Sequence, residues 1–208
     1  ILTGSTISVD NNQLSTINLY NGSKLIDSEI NVTNPQGADQ GGDETYGTQI
    51  SFRGTTDMSG SSVSVGDKAI NMNGATINMD ASSELNAGAI RNSSSATSAS
   101  TINGGTVNAE FQGLRSGSAA TQNIVLNGTT VTEGALNTAK IQLGEGGIVV
   151  DAGAGNTAEF PVGVLNDNSN NYPVIVKSGT ANFNVDMGNN VYIESGASAN
   201  GESGAPIT

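Results

Sequence analysis

Cysteine and histidine are both missing from this 208-residue chain. The first absence excludes disulfides and thiolate metal sites. The second removes the commonest general base and metal ligand, and with it the usual nucleophilic triad, however many serines are present. Tryptophan is also absent, and the four Tyr and four Phe are too dispersed to form a sugar-stacking platform. Basic residues are scarce: 7 Lys and Arg stand against 19 Asp and Glu, for a net charge of -12. A surface of that sign repels nucleic acid. No apolar run approaches the roughly 20 residues of a membrane-spanning helix, so no membrane insertion by this segment is expected. The chain opens Ile1-Leu2-Thr3, with neither Met nor a signal-peptide pattern, as expected of a processed or excised piece.

What the sequence does contain is a glycine-centred bend repeated along its length. In Ala69 to Met79, AINMNGATINM, the apolar residues Ile70 and Met72 alternate with Asn71 and Asn73, Gly74 interrupts, and Ile77 and Met79 resume the alternation. Period-two patterning on either side of a glycine reads as strand, tight bend, strand. The same skeleton recurs as Leu2-Gly4-Ile7, Tyr20-Gly22-Leu25, Met58-Gly60-Val63, Ile102-Gly104-Val107 and Leu126-Gly128-Val131, with a looser copy at Leu143-Gly146-Ile148. Helical apolar periodicity is lacking throughout, so helix content should be very low. The expected class is all-β. Residues 1–195 form a single domain with a projecting loop near 31–48, and 196–208 are an irregular tail or a link to a further module. The Ser/Ala-rich stretch 81–100 reads as loop or a weakly ordered rung.

Two assemblies satisfy this pattern. Asn-Gly at 21-22, 73-74 and 127-128 is a hairpin signal, which leads to an antiparallel β-sandwich. Alternatively each bend is an arch in a solenoid, and its two strands pair with the coils above and below. The steps between successive motifs are 18, 38, 14, 30, 24 and 17 residues. Several lie near the roughly 20 to 30 residues of one solenoid coil, or near twice that. The short steps then require either two such bends in some coils or an imperfect repeat. Stacked coils also explain how 35% hydrophobic content suffices, since only inward positions need be apolar while Asn and Thr form hydrogen-bonded ladders along one line.

The phrases NGATINM, NGGTVNA, NGTTVTE and GGIVVDAG resemble the degenerate repeats of bacterial autotransporter passengers and filamentous-haemagglutinin-type adhesins. That resemblance runs along most of residues 1–193 and implies a right-handed parallel β-helix. It further implies a passenger fragment at the bacterial cell surface or outside the cell. The expected function is non-enzymatic: adhesion or self-association, with a second copy or a cell-surface glycan or protein as partner. A structural subunit of an extracellular filament or phage fibre is the alternative, and a carbohydrate-active enzyme the third reading.

The candidate contact residues are few. Asp43 and Glu44, the one adjacent acidic pair, and Tyr46 lie in the 31–48 loop, and Tyr172 lies in a second loop beside Pro173. Asp80, Glu84, Glu110, Glu133 and Glu145 fall near bends. A glycosidase would need two carboxylates about 5 to 10 Å apart across a groove, and spacing in the chain establishes no such pair, so these read as solvated surface acids. No catalytic residue, metal ligand or cofactor is assigned. Asn-x-Ser/Thr occurs at Asn21, Asn31, Asn92 and Asn127, as expected by chance in a chain this rich in Asn, Ser and Thr.

Overall fold

A computed structural model of the chain describes residues 1–10, 17–33, 48–66, 68–92, 96–115, 121–132, 147–160, 174–183, 191–201, 204 and 206–208. Each run of alternating apolar and polar residues in these segments is a short extended strand, and each glycine-centred bend turns the chain onto another face. The first level comprises β1 (Leu2–Thr3), β2 (Thr6–Asp10) and β3 (Ile17–Tyr20). The second comprises β4 (Ser23–Ile26), β5 (Glu29–Thr33) and β6 (Thr48–Arg53), and the third β7 (Thr55–Ser59), β8 (Ser62–Ser64) and β9 (Ala69–Asn71). The fourth holds β10 (Thr76–Met79) and β11 (Glu84–Arg91), the fifth β12 (Ser100–Asn103) and β13 (Thr106–Arg115), and the sixth β14 (Ile124–Asn127) and β15 (Thr130–Thr132). Above them lie β16 (Ile148–Asp151) and β17 (Thr157–Phe160), β18 (Val174–Ser178) and β19 (Thr180–Phe183), and β20 (Val191–Ile193) and β21 (Ser198–Asn200), with β22 (Pro206–Ile207) last.

The first face is a 9-stranded sheet of order β1-β4-β7-β10-β12-β14-β16-β18-β20, in which every pair is parallel. Strands β2, β5 and β8 build a second face and β3, β6 and β9 a third. The long strands β11 and β13 cross both, joining them into one sheet. A third sheet of β17, β19 and β21 follows beside β15 and carries the second face onward. The molecule is a parallel β-solenoid. No α-helix occurs among the described residues.

Register fixes the coil length. Ile77 pairs with Ile102 and Ile102 with Leu126, steps of 25 and 24 residues. The bend motif, however, occurs at two different corners. At Gly4, Gly60, Gly104 and Gly128 it takes the chain off the first face, and at Gly22 and Gly74 it brings the chain back. That is why Met58 and Met72 stand only 14 residues apart: they flank the two corners of one coil. The hairpin alternative is therefore wrong, because the strands on either side of each described bend belong to different sheets. Asn-Gly serves as a corner here because tertiary stacking supplies the strand partners. The one antiparallel pair among the described residues is β21 with β22, within 196–208, where the sequence shows no pattern.

Inward residues form columns. Ile77, Ile102, Leu126, Val150 and Val176 line the first face, and Ile30, Val63, Leu85, Val107 and Val131 the second. Ile50, Ile70, Ile90 and Leu114 line the third, and all of these are buried. Phe160 and Phe183 stack at 5.0 Å between ring centroids. The stretch 81–100, expected as loop or weak rung, instead contains the eight-residue β11. Its Ala87-Gly88-Ala89 centre is small enough to bend from the second face to the third, with a register shift there.

Candidate interaction surface

Outward residues stack as regularly as inward ones. On the first face Asn78 Nδ2 donates to Asp57 Oδ1, Asn103 Nδ2 to Asn78 Oδ1 and Asn127 Nδ2 to Asn103 Oδ1, each at 2.7 Å. Every amide points the same way along the axis, so the row needs an acceptor at its start. Asp57 supplies it, and Lys24 Nζ meets the other carboxylate oxygen at 3.4 Å. The hydrogen bond from Asn78, with Lys24 second, holds Asp57 below the usual carboxylate range. A second row repeats this design: Asn200 Nδ2 donates to Asn182 Oδ1 at 2.8 Å, and Asn182 Nδ2 to Glu159 Oε1 at 2.6 Å. A third joins Asn108 to Asn86 at 2.5 Å. Amides so aligned each keep a second N–H beyond the one used in the row.

The corner beneath these rows is held by buried hydroxyls. Ser5 N–H donates to Ser28 Oγ, Ser28 N–H to Ser61 Oγ and Ser61 N–H to Ser83 Oγ, at 3.1 to 3.3 Å. Ser28 and Ser61 in turn donate to the carbonyls of Ile26 and Ser59. Each serine thus satisfies a corner amide that no strand ladder reaches. Asp80 lies at the same corner and accepts from the hydroxyls of Ser59, Ser82 and Ser83 and the amides of Gly60 and Ser82. The Ser83 hydroxyl, followed by those of Ser59 and Ser82 and the Gly60 amide, pulls its carboxyl far below the usual range.

Comparison with known proteins returned no match: no family model, no curated protein and no solved structure. The assignment of function therefore rests on geometry.

Of the sequence-derived candidates, Asp43, Glu44, Tyr46 and Tyr172 lie outside the described residues, as do Glu133 and Glu145. Asp80 and Glu84 are described and separate: Asp80 staples a corner, whereas Glu84 sits on the second face as the register partner of Ser62 and Thr106. Among the sequons, Asn92 is buried, with its Nδ2 bonded to the carbonyls of Ser98 and Gln122, and Asn127 belongs to the amide row. Neither is placed to accept a glycan. Among the described residues no cluster of His, Cys, Asp and Glu could hold a metal, and no helix is long and apolar enough to cross a membrane. The serine spine went unnoticed in the sequence because Ser5, Ser28, Ser61 and Ser83 follow no fixed spacing; the T-I-N triplets at 76–78 and 101–103 did mark the amide row.

Proposed function

We propose that this chain is a non-enzymatic adhesin or self-association module, exposed outside the cell in the manner of an autotransporter passenger. The observation that carries the reading is the alignment of outward amides and hydroxyls level upon level. A face bearing Asn78, Asn103 and Asn127 in one row offers a second solenoid, or a cell-surface glycan or protein, the same hydrogen-bonding pattern many times over. Each contact is weak in water, worth about 1 kcal/mol or less, and the repetition along an axis gives avidity. The net charge of -12 keeps separate copies apart until their rows align.

Sedimentation across a concentration series tests this directly, with cell aggregation upon surface display as the second readout. Reversible association is expected in the first and clumping in the second. A chain that stays monomeric and aggregates no cells would dispose of the reading.

A second reading, a subunit of an extracellular filament, is favoured by the first level. There β1, β2 and β3 end their sheets, and Ile1, Ile7 and Tyr20 are exposed at 90%, 39% and 63%. Sheet edges beside exposed apolar side chains are templates for further pairing. Negative-stain micrographs separate the two: regular polymers support the filament, irregular clusters the adhesin.

A further inference from the structure

The first face changes character part-way along the axis. One outward line begins with Thr55, Thr76 and Thr101, in register on successive levels. From β14 onward the same line reads Val125, Val149, Ile175 and Tyr192. Their chain neighbours Leu126, Val150 and Val176 point inward and are buried, whereas none of these four is buried and Tyr192 is 60% exposed. The corresponding line of the second face, Thr6, Glu29, Ser62, Glu84, Thr106 and Thr130, has no apolar member. Strand propensity does not call for Val and Ile here, because threonine supplies the same β-branched preference at the three earlier levels. Apolar side chains set side by side on the outside of four levels mark a surface that a partner covers.

The line beside this stripe says which partner. Two residues further along each strand stand Asn127, Asp151, Lys177 and Glu194, in that order of level. Lys177 Nζ meets Asp151 Oδ2 at 3.6 Å and both side chains remain accessible, while Glu194 extends the ladder past β20, its N–H on the Val176 carbonyl. The sequence of amide, minus, plus, minus is self-complementary on reversal. A second copy turned end for end, about a two-fold axis lying across the face between the levels of Val149 and Ile175, sets Asp151 against Lys177 and Lys177 against Asp151. The same turn sets Glu194 against Asn127, which has a second N–H to give, and the small Val125 against the large Tyr192. With the two axes parallel instead, the charged line falls on the side of Asn123 and Gly147, where it meets no counter-charge.

We infer that this chain pairs with a second copy of itself through the later half of the first face, the two solenoids antiparallel. The aliphatic stripes interdigitate between sheets about 10 Å apart, and the Asp151 and Lys177 charges match along one side. The inference rests on the self-association reading and places its contact. It leaves Asn78 and Asn103 uncovered. The stripe runs about 14 Å over its four levels, at the small and transient end of protein interfaces, so the expected dissociation constant is about 10 µM to 1 mM.

Sedimentation of the 208-residue chain from about 5 µM to 1 mM reads the pairing, and a monomer–dimer equilibrium is expected. Val149→Thr with Ile175→Thr continues the threonine line of the earlier levels and should weaken association about tenfold or more. Thr76→Ser with Thr101→Ser, on the same line outside the contact, should change it less than about twofold. Asp151→Lys and Lys177→Asp should each weaken it about threefold or more, since like charges then face each other, and an equimolar mixture of the two variants should restore it. Circular dichroism checks each fold, and the mixture decides the matter if the Val149 and Ile175 variant fails to fold. Parent-like association of that variant, a mixture no stronger than either charge variant alone, or a monomer at every concentration would overturn the inference. Flotation with neutral phosphatidylcholine vesicles examines the other occupant: a monomer that floats, and no longer does so with Val149→Thr and Ile175→Thr, would give the stripe to a lipid surface instead. If the chain associates without regard to these substitutions, or stays monomeric yet aggregates cells on display, only this inference falls; if it does neither, the adhesin reading falls with it.

Discussion

Thr56 occupies a position in the first-face column that the levels above give to Ile77, Ile102 and Leu126, and it is fully buried. Its hydroxyl finds no partner there. An unsatisfied buried hydroxyl costs about 1 to 3 kcal/mol, so Thr56→Val should raise stability by about 1 kcal/mol, read as a shift in urea midpoint at unchanged slope. The other orphan is Asn127 Oδ1, at the upper end of the amide row. The next residue on that line is Asp151, whose carboxylate accepts from Ser178 and pairs with Lys177 and so cannot donate to Asn127. Asp151→Asn supplies the missing N–H. The exposed bridge to Lys177 that it removes is worth no more than about 1 kcal/mol, so the variant should be equal to or more stable than the parent. A drop of several degrees in Tm would show that the row does not continue across that level. Neither orphan was legible in the sequence, where Thr56 reads as one more β-branched strand residue. Only the register puts it under Ile77.

The corner is the element on which the stacking turns. Gly104 has φ of 70°, and a Cβ there would lie 2.4 Å from the carbonyl oxygen of Met79 on the level before it. Gly104→Ala combines a left-handed backbone with a backbone clash and should cost more than 2 kcal/mol, roughly, by thermal or urea unfolding. Asp80 makes the same corner sensitive to acid. Its carboxyl titrates well below the ordinary aspartate range in the folded chain, so between that folded value and about 3.9 the unfolded chain binds more protons and stability rises with pH. The contribution is fully present above about pH 4 and fades as pH falls below it. Thermal unfolding from pH 7 to pH 2.5 should therefore show a steeper acid loss for the parent than for Asp80→Asn, with Asp57 contributing to what remains. Parallel curves would mean that the five donors do not hold a charged carboxylate. Bend positions were readable from Gly60, Gly74, Gly104 and Gly128. Which corner each occupied was not, because apolar-Gly-apolar looks identical whether the chain leaves the first face or returns to it.

Across the whole molecule, strand pairing among the described residues runs from each level to its neighbours, so stability is close to a sum of level and interface terms. The period-two patterning and low apolar content made the solenoid legible, while nothing in the composition announced which strands would share a face. Ile102 tests the nearest-neighbour picture. It is fully buried between Ile77 and Leu126, and Ile102→Ala should cost about 2 to 5 kcal/mol, since the flanking columns can close only part of the gap. If openings are local, amide exchange should accelerate most in β10, β12 and β14, and far less in β4 and β18. If the rod opens only as one unit, every slow amide should accelerate by the same factor. The parent chain supplies the baseline: β1, β2 and β3, which end their sheets among the described strands and leave Ile7 and Tyr20 exposed, should exchange first, and the middle levels last. A gradient from the first level inward, steepened locally by Ile102→Ala, is the outcome that stacked coils require. Uniform exchange in both proteins would mean that the third face and the amide rows bind the levels into a single cooperative unit.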